Sequence, residues 1–188
     1  MSVTQIKDGN IVSLDASKLT GNLPAISGAS LTGVTGKIVQ VVNVQDKAYA
    51  TNSTIVPYDQ TRPQNTEGGE VMTLAITPTN ASNLLYIDVV CHCTATLAGI
   101  FCVPLFQDST ADCIAVGGQS TNGASHMANI GYRHIMTAGT TSATTFKVRM
   151  GLNTAGTFSF NGDGQTKWDT NGASGRISSS ITIWEIQA

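Results

Sequence analysis

An all-β fold is what this chain predicts, closed as an antiparallel sandwich of two sheets in a jelly roll. Three observations carry the prediction. No window sets apolar residues at i, i+3, i+4 and i+7 between capping signals, so no helix is expected. Short runs of period two follow one another instead. Gly, Asn, Asp, Ser and Pro separate them at the spacing of a β-sandwich, and the nineteen glycines fit a chain with many turns. About nine strands result.

Ahead of them stands a segment of another kind. Leu19-Thr20-Gly21 returns as Leu31-Thr32-Gly33, with Ala16-Ser17 and Ala29-Ser30 standing before the two copies. Apolar residues come singly, as Leu14, Leu19, Leu23, Ile26, Leu31 and Val34. One apolar side chain per turn cannot offset the ordering entropy of such a segment. It needs identical neighbours, the logic of repeat stems. A flexible Ser/Gly linker is the blander reading. An extended stem or docking arm over residues 1–36 and one head domain over 37–188 are expected.

The first strands of the head are weak ones, at 38–44, 48–56 and 71–77. The run at 84–97 is strong. Leu85, Ile87, Val89, Cys91, Cys93, Ala95 and Leu97 share one wholly apolar face, which is the core face. The opposite set, Leu84, Tyr86, Asp88, Val90, His92, Thr94 and Thr96, is more apolar than a solvent face needs. Weaker strands follow at 100–106, 112–116 and 127–136; in the last, Ile130, Tyr132, His134 and Met136 align. Residues 144–152 alternate cleanly, with Phe146, Val148, Met150 and Leu152 inward. Asn153-Thr154-Ala155-Gly156 then turns the chain into 157–161, and the two runs read as a hairpin. Pro57, Pro63, Pro78 and Pro104 are expected at strand ends or edges.

The last strand, 177–186, puts Ile177, Ile181 and Ile183 on one face, and Trp184 and Ile186 on the other with Ser178, Ser180 and Thr182. Trp184 and Ile186, like Tyr86 and Val90, would form a costly exposed patch. A second burial surface is implied, most simply another subunit. Two stretches lack periodicity, 58–69 and 161–176. The second is long enough to suggest function; its Asp163, Lys167, Trp168 and Asp169 form a candidate ligand-contact loop, while Trp168 reads equally as a plug packed on its own loop or on a neighbouring subunit.

Composition narrows the function. Charged residues are 12% and the net charge is −2, with no basic cluster. Binding through nucleic-acid phosphates and a polybasic membrane patch are both disfavoured. No apolar run reaches a spanning length, so no membrane insertion is expected. The first residues lack an apolar signal core, which points to a cytosolic site of synthesis. Cys91, Cys93, Cys102 and Cys113 lack zinc spacing and are expected as free core thiols.

Catalytic signatures are missing. His92, His126 and His134 are far apart in sequence, and His134 reads as a hydrogen-bonded structural residue. No carboxylate pair, Gly-x-Ser-x-Gly elbow, phosphate loop or His-Glu-x-x-His occurs. Asp163 lacks the further carboxylates of a calcium loop. Asn52-Ser53-Thr54 and Asn80-Ala81-Ser82 read as chance sequon matches. No enzyme, metal or cofactor is expected.

The arm, from Leu14-Asp15-Ala16-Ser17-Lys18-Leu19-Thr20-Gly21 through Leu31-Thr32-Gly33-Val34, resembles the stems of bacteriophage tail-fibre and related virion proteins. Val103-Pro104-Leu105-Phe106-Gln107-Asp108, Thr141 through Arg149, Gly156-Thr157-Phe158-Ser159-Phe160-Asn161 and Ser180-Ile181-Thr182-Ile183-Trp184-Glu185-Ile186 resemble the globular heads that end such proteins in phages and aquatic viruses. The resemblance implies a homotrimer of jelly rolls similar to the tumour necrosis factor class, placed on a virion assembled in the host cytoplasm. It implies other virion proteins, of the capsid or of the tail and baseplate, as partners. A tail fibre or fibre tip would adsorb to a host surface glycan or protein. A capsid decoration or cement protein, or a head fibre, would clamp capsid subunits. The short arm favours a docked knob over a long shaft. A carbohydrate-active β-sandwich enzyme is a third reading, weakened by the missing carboxylate pair.

Overall fold

The computed structural model describes residues 37–162 and 177–188. The arm residues Leu14, Leu19, Leu23, Ile26, Leu31 and Val34 lie outside the described residues, as do Asp163, Lys167, Trp168 and Asp169. Ten strands and no helix are found among the described residues. They are β1 (Ile38–Asp46), β2 (Ala50–Asn52), β3 (Gly69–Ile76), β4 (Leu84–Ala95), β5 (Gly99–Gln107), β6 (Ala115–Thr121), β7 (Ala128–Thr137), β8 (Thr144–Leu152), β9 (Phe158–Phe160) and β10 (Ser179–Ile186).

All pairings are antiparallel, in two sheets. One has the order β3-β8-β5-β6. In the other, β1 pairs β10, and β10 pairs β4 over Leu84 to Val90. Cys93 pairs both with Phe160 of β9 and with Ala128 of β7, so β9 and β7 lie on opposite edges of β4. Strand β9 thus continues the position of β10 beyond its end, and β2, paired to β9, continues β1. The sheet has four positions: β1 with β2, β10 with β9, β4, and β7. Along the chain the path crosses from sheet to sheet at each step except between β1 and β2, β5 and β6, and β9 and β10. That winding is a jelly roll, two sheets wrapped so that few edges stay open.

The alternation in the sequence builds the core. Leu85, Ile87, Val89, Cys91 and Cys93 of β4 face Phe101, Val103 and Leu105 of β5 and Phe146, Val148, Met150 and Leu152 of β8, all fully buried. Each large side chain here contributes about 1.5–3 kcal/mol of transfer free energy. Phe101 meets Phe158 edge to face, with ring centroids 6.3 Å apart.

Several expectations need correction. Residues 144–152 and 157–161 are not a hairpin: β8 pairs β3 and β5, whereas β9 pairs β2 and β4 in the other sheet. Both edges of β8 are taken, so the chain after Leu152 must leave for the opposite sheet. Strand character within 48–56 is confined to Ala50–Asn52. The strand expected at 112–116 runs instead over Ala115–Thr121, because Asp112 and Cys113 pair with Gln64 and Pro63. Pro104 lies inside β5, not at an end or edge, at a place where the β5–β8 ladder skips a step. Thr94, expected on the outer face, is buried and donates its hydroxyl to the Gly162 carbonyl at 2.8 Å.

The aperiodic stretch before β3 forms a strap over the outer face of the β3-β8-β5-β6 sheet. Val56 N donates to Leu152 O at 3.0 Å, Asn65 N to Ala111 O at 2.8 Å, and Cys113 N to Pro63 O at 2.9 Å. Arg149 on β8 fixes the returning end, donating from Nε to Glu67 O at 2.8 Å and from Nη2 to Gly68 O at 2.7 Å. Gly68 has φ +64, and a Cβ there would meet Met150 O at 2.7 Å. Phe106 and Pro104 point away from the core, yet both are buried.

The two sheets close against each other where β6 meets β7. Tyr132 lies on Gly117, where an added Cβ would stand 2.3 Å from the ring and 2.7 Å from Ile130 Cγ2. Gly117→Ala is therefore expected to destabilise the head by about 1–3 kcal/mol, the usual cost of overpacking. Denaturant unfolding checks it. A midpoint equal to wild type would mean that Tyr132 moves aside freely.

Candidate subunit interface

The outer face of the β1/β10/β4/β7 sheet is built in rows by its register. Val41 pairs with Trp184, Trp184 with Tyr86, and Tyr86 with Ile135, one residue from each strand. The neighbouring row is Ile38, Ile186 and Leu84, with Thr137 at its β7 edge. Two adjacent apolar rows thus cover one end of the face. Val41, Ile38 and Ile135 are about half exposed, at 50%, 53% and 48%. The other sheet wears its own strap, while this apolar end carries none of the strap's residues.

Polar rows complete the face, and their groups are matched within the chain. Asn43 Nδ2 donates to Thr182 Oγ1 at 2.7 Å. Arg133 makes a bidentate pair with Asp88, at 2.5 and 2.7 Å. The Asp88 carboxylate raises the Arg133 pKa through hydrogen bonding and charge. The guanidinium also stands 6.0 Å from the Trp184 ring centroid, in cation–π range. Farther along, His92 Nδ1 and Asn129 Oδ1 are 2.6 Å apart. Covering such a face strands few polar groups, which keeps its desolvation cost low.

Of the four interface residues named from sequence, the register brings Tyr86, Trp184 and Ile186 together. Val90 does not join them. It lies in the row of Gln45, Ser180 and Gly131, beyond the Asp88–Arg133 row. Sequence reasoning missed Ile38, Val41, Leu84 and Ile135 as parts of this patch. Period two places Leu84 on the outer face, but only the cross-strand register shows what stands beside it.

His134 is half-buried, and burial lowers its pKa. All four cysteines are unpaired; Cys91, Cys93 and Cys113 are buried, and Cys102 is partly exposed. The hydrogen bond with Cys91 and burial push the Cys93 thiol well up, and burial raises Cys102 and Cys113. Raised thiols are poor nucleophiles.

The end of this sheet away from the apolar rows hides a polar knot. Asn161, at φ +55, accepts from Ser179 Oγ at 2.7 Å. It donates to the carbonyls of Asp46 at 2.9 Å and Ala48 at 3.2 Å, tying β9, β10 and the β1–β2 connection.

No protein-family model matches the chain, and no curated protein matches it. Among solved structures, dimeric latent PorU from Porphyromonas gingivalis is 10% identical with a TM-score of 0.37, over 82% of this chain and 14% of that one. The infectious bursal disease virus Gt strain structure is 10% identical with a TM-score of 0.35, over 94% of this chain and 47% of that one. The enzymatically active domain of tailspike protein 4 of bacteriophage CBA120 is 9% identical with a TM-score of 0.27, over 66% and 19%. The chain spans less than half the length of each. These neighbours include viral capsid and tailspike structures, and at such scores they carry no argument about what this chain does.

Proposed function

We propose that the chain is a structural virion protein: a homotrimeric knob, docked to the particle by its N-terminal arm and adsorbing to the host surface. It works by binding and not by catalysis. The observation that carries the reading is the pair of apolar rows, Ile38–Ile186–Leu84 and Val41–Trp184–Tyr86–Ile135, on a complete jelly roll. A sandwich with its own core has no internal use for Trp184, Tyr86 and Ile135 on an outer face. Another copy of the chain is the simplest cover. The arm's Leu14, Leu19, Leu23, Ile26, Leu31 and Val34 would meet their equivalents, or the particle, in the same assembly. The stem resemblance supplies the virion setting, with capsid or tail proteins as partners and a host glycan or protein as target.

Light scattering on the full chain at micromolar concentration should give a trimer, and the purified trimer should bind host cells and block infection. A monomer would sink the reading. Particles that lack the protein, adsorb normally and burst on heating would replace adsorption with capsid decoration.

A further inference from the structure

A depression of about 230 Å³ opens on the strap side of the head, on the sheet opposite the apolar rows. Its wall is Asn65 of the strap and Asp108 and Ser109 of the β5–β6 turn; Lys147 and Arg149 of β8 and Glu70 of β3 complete it, with Phe106 beneath. Two of these polar groups, Asp108 and Arg149, are held in place by hydrogen bonds. Asp108, at φ +52, accepts from Thr145 N at 2.7 Å on Oδ1 and from Thr144 Oγ1 at 2.9 Å on Oδ2. Each carboxylate oxygen keeps a lone pair. The Arg149 guanidinium is anchored on two strap carbonyls, and its Nη1 stands 3.7 Å from Glu70. Lys147 is half-buried and makes no ion pair among the described residues, although two carboxylates line the same basin.

The geometry points to a binding site for one neutral pyranose ring, held through its vicinal hydroxyls. Charge decides between ligand classes. An anion would meet Asp108 and Glu70, and a cation would meet Lys147 and Arg149. An apolar group would leave the Lys147 ammonium and the remaining lone pairs of Asp108 and Glu70 without a partner, at a cost of about 1–3 kcal/mol each. A sugar hydroxyl both donates and accepts. A vicinal pair can donate to Asp108 or Glu70 while accepting from Lys147 and Ser109. The volume suits one ring, with the chain of a larger glycan continuing through the open mouth. The site rests on the adsorption reading above, for which it supplies the ligand class and the contact surface.

Saturation-transfer NMR on the full chain tests it, with D-galactose, D-glucose and D-mannose as probes, and galacturonate and glycine as the anionic and zwitterionic comparisons. At least one neutral pyranose should receive transfer at about 10 mM, in the weak range expected of a single sugar. Lys147→Met should weaken that binding roughly tenfold, the loss of one charged hydrogen bond. Glu70→Gln, at a more exposed wall position, should weaken it less and serves if Lys147→Met melts early. Silence from all three pyranoses, transfer only from galacturonate or glycine, or binding unchanged in both variants overturns the site. If Lys147→Met still adsorbs to cells as a trimer while its sugar transfer is lost, the basin is not the adsorption surface and the knob reading stands. If the chain binds the pyranose but is a monomer that does not adsorb, the basin stands and the knob reading falls.

Discussion

Glu185→Ala is expected to lower the unfolding free energy of the head by about 3 kcal/mol near neutral pH, or roughly 10 °C in melting temperature for a domain of this size. Glu185 sits on the core side of β10, in line with Ile181 and Ile183, and is fully buried. Its Oε1 accepts from Thr79 N and Thr79 Oγ1, both at 2.8 Å, from Asn83 Nδ2 at 2.6 Å, and from Asn80 N at 3.3 Å. Its Oε2 accepts from Gln40 Nε2 at 2.6 Å. No cation is among these partners; among the described residues the carboxylate is compensated by dipoles alone. One side chain thereby ties β10 to β1 and to the β3–β4 turn. Alanine would leave Thr79 N and Asn80 N without this acceptor, while Gln40 Nε2 keeps only the Thr77 carbonyl at 2.8 Å and Asn83 Nδ2 only Thr79 Oγ1 at 3.2 Å.

The same network sets a pH dependence. Burial pushes the Glu185 pKa up, but the hydrogen bonds from Asn83, Gln40 and Thr79 outweigh it and hold the group below its ordinary value. A carboxyl whose folded pKa is depressed stabilises the fold fully above its unfolded pKa. That contribution disappears as pH falls through the folded pKa. The gap in stability between wild type and Glu185→Ala should therefore be widest near neutrality and should narrow in acid, below the ordinary carboxylate range. A gap that stays constant down to strong acid would show that the ionised form is not what the network holds.

Glu185 also shows where the sequence stops being legible. Period two places it on the core face, but its charge contradicts that placement, and the compensating groups are scattered over Gln40, Thr79 and Asn83. No local pattern announces such a convergence. The strong strands were readable because alternation is local: β4, β8 and β10 follow their apolar residues. The sheet in which a strand lies is a non-local property. Thus 144–152 and 157–161, joined by a good turn sequence, looked like a hairpin, while both neighbours of β8 come from elsewhere in the chain. The strap was legible only as a gap in periodicity, since its order comes from backbone bonds to Leu152 and to the β5–β6 connection, from Arg149, and from scattered side-chain bonds such as Gln64 to Asp112 and Asn65 to the Thr110 carbonyl. For the candidate interface, Trp184, Ile186 and Tyr86 were visible as apolar residues on the wrong face. Val90 belonged to the same sequence class but to a different row.

That difference between rows gives the second large effect. Replacing Trp184 by Ser and Ile135 by Glu in one chain should dissociate the proposed trimer without unfolding the head. The inner faces of β7 and β10 keep Ala128, Ile130, Ile181 and Ile183 in place, so the core is untouched. Tryptophan at the centre of an interface is commonly worth about 2 kcal/mol or more, which is roughly a 30-fold loss of affinity per contact. A glutamate buried beside it without a partner adds to that. Arg133 makes the test sharper. It is already committed to Asp88, so it cannot swing to neutralise the new glutamate without giving up its bidentate pair. Light scattering should report monomers with a near wild-type circular dichroism spectrum. Val90→Glu, beyond the Asp88–Arg133 row, should leave the assembly intact. If Val90→Glu dissociates the protein while the Trp184 and Ile135 variant does not, the contact lies on the polar end of the face. The apolar rows must then be covered by something other than a second copy.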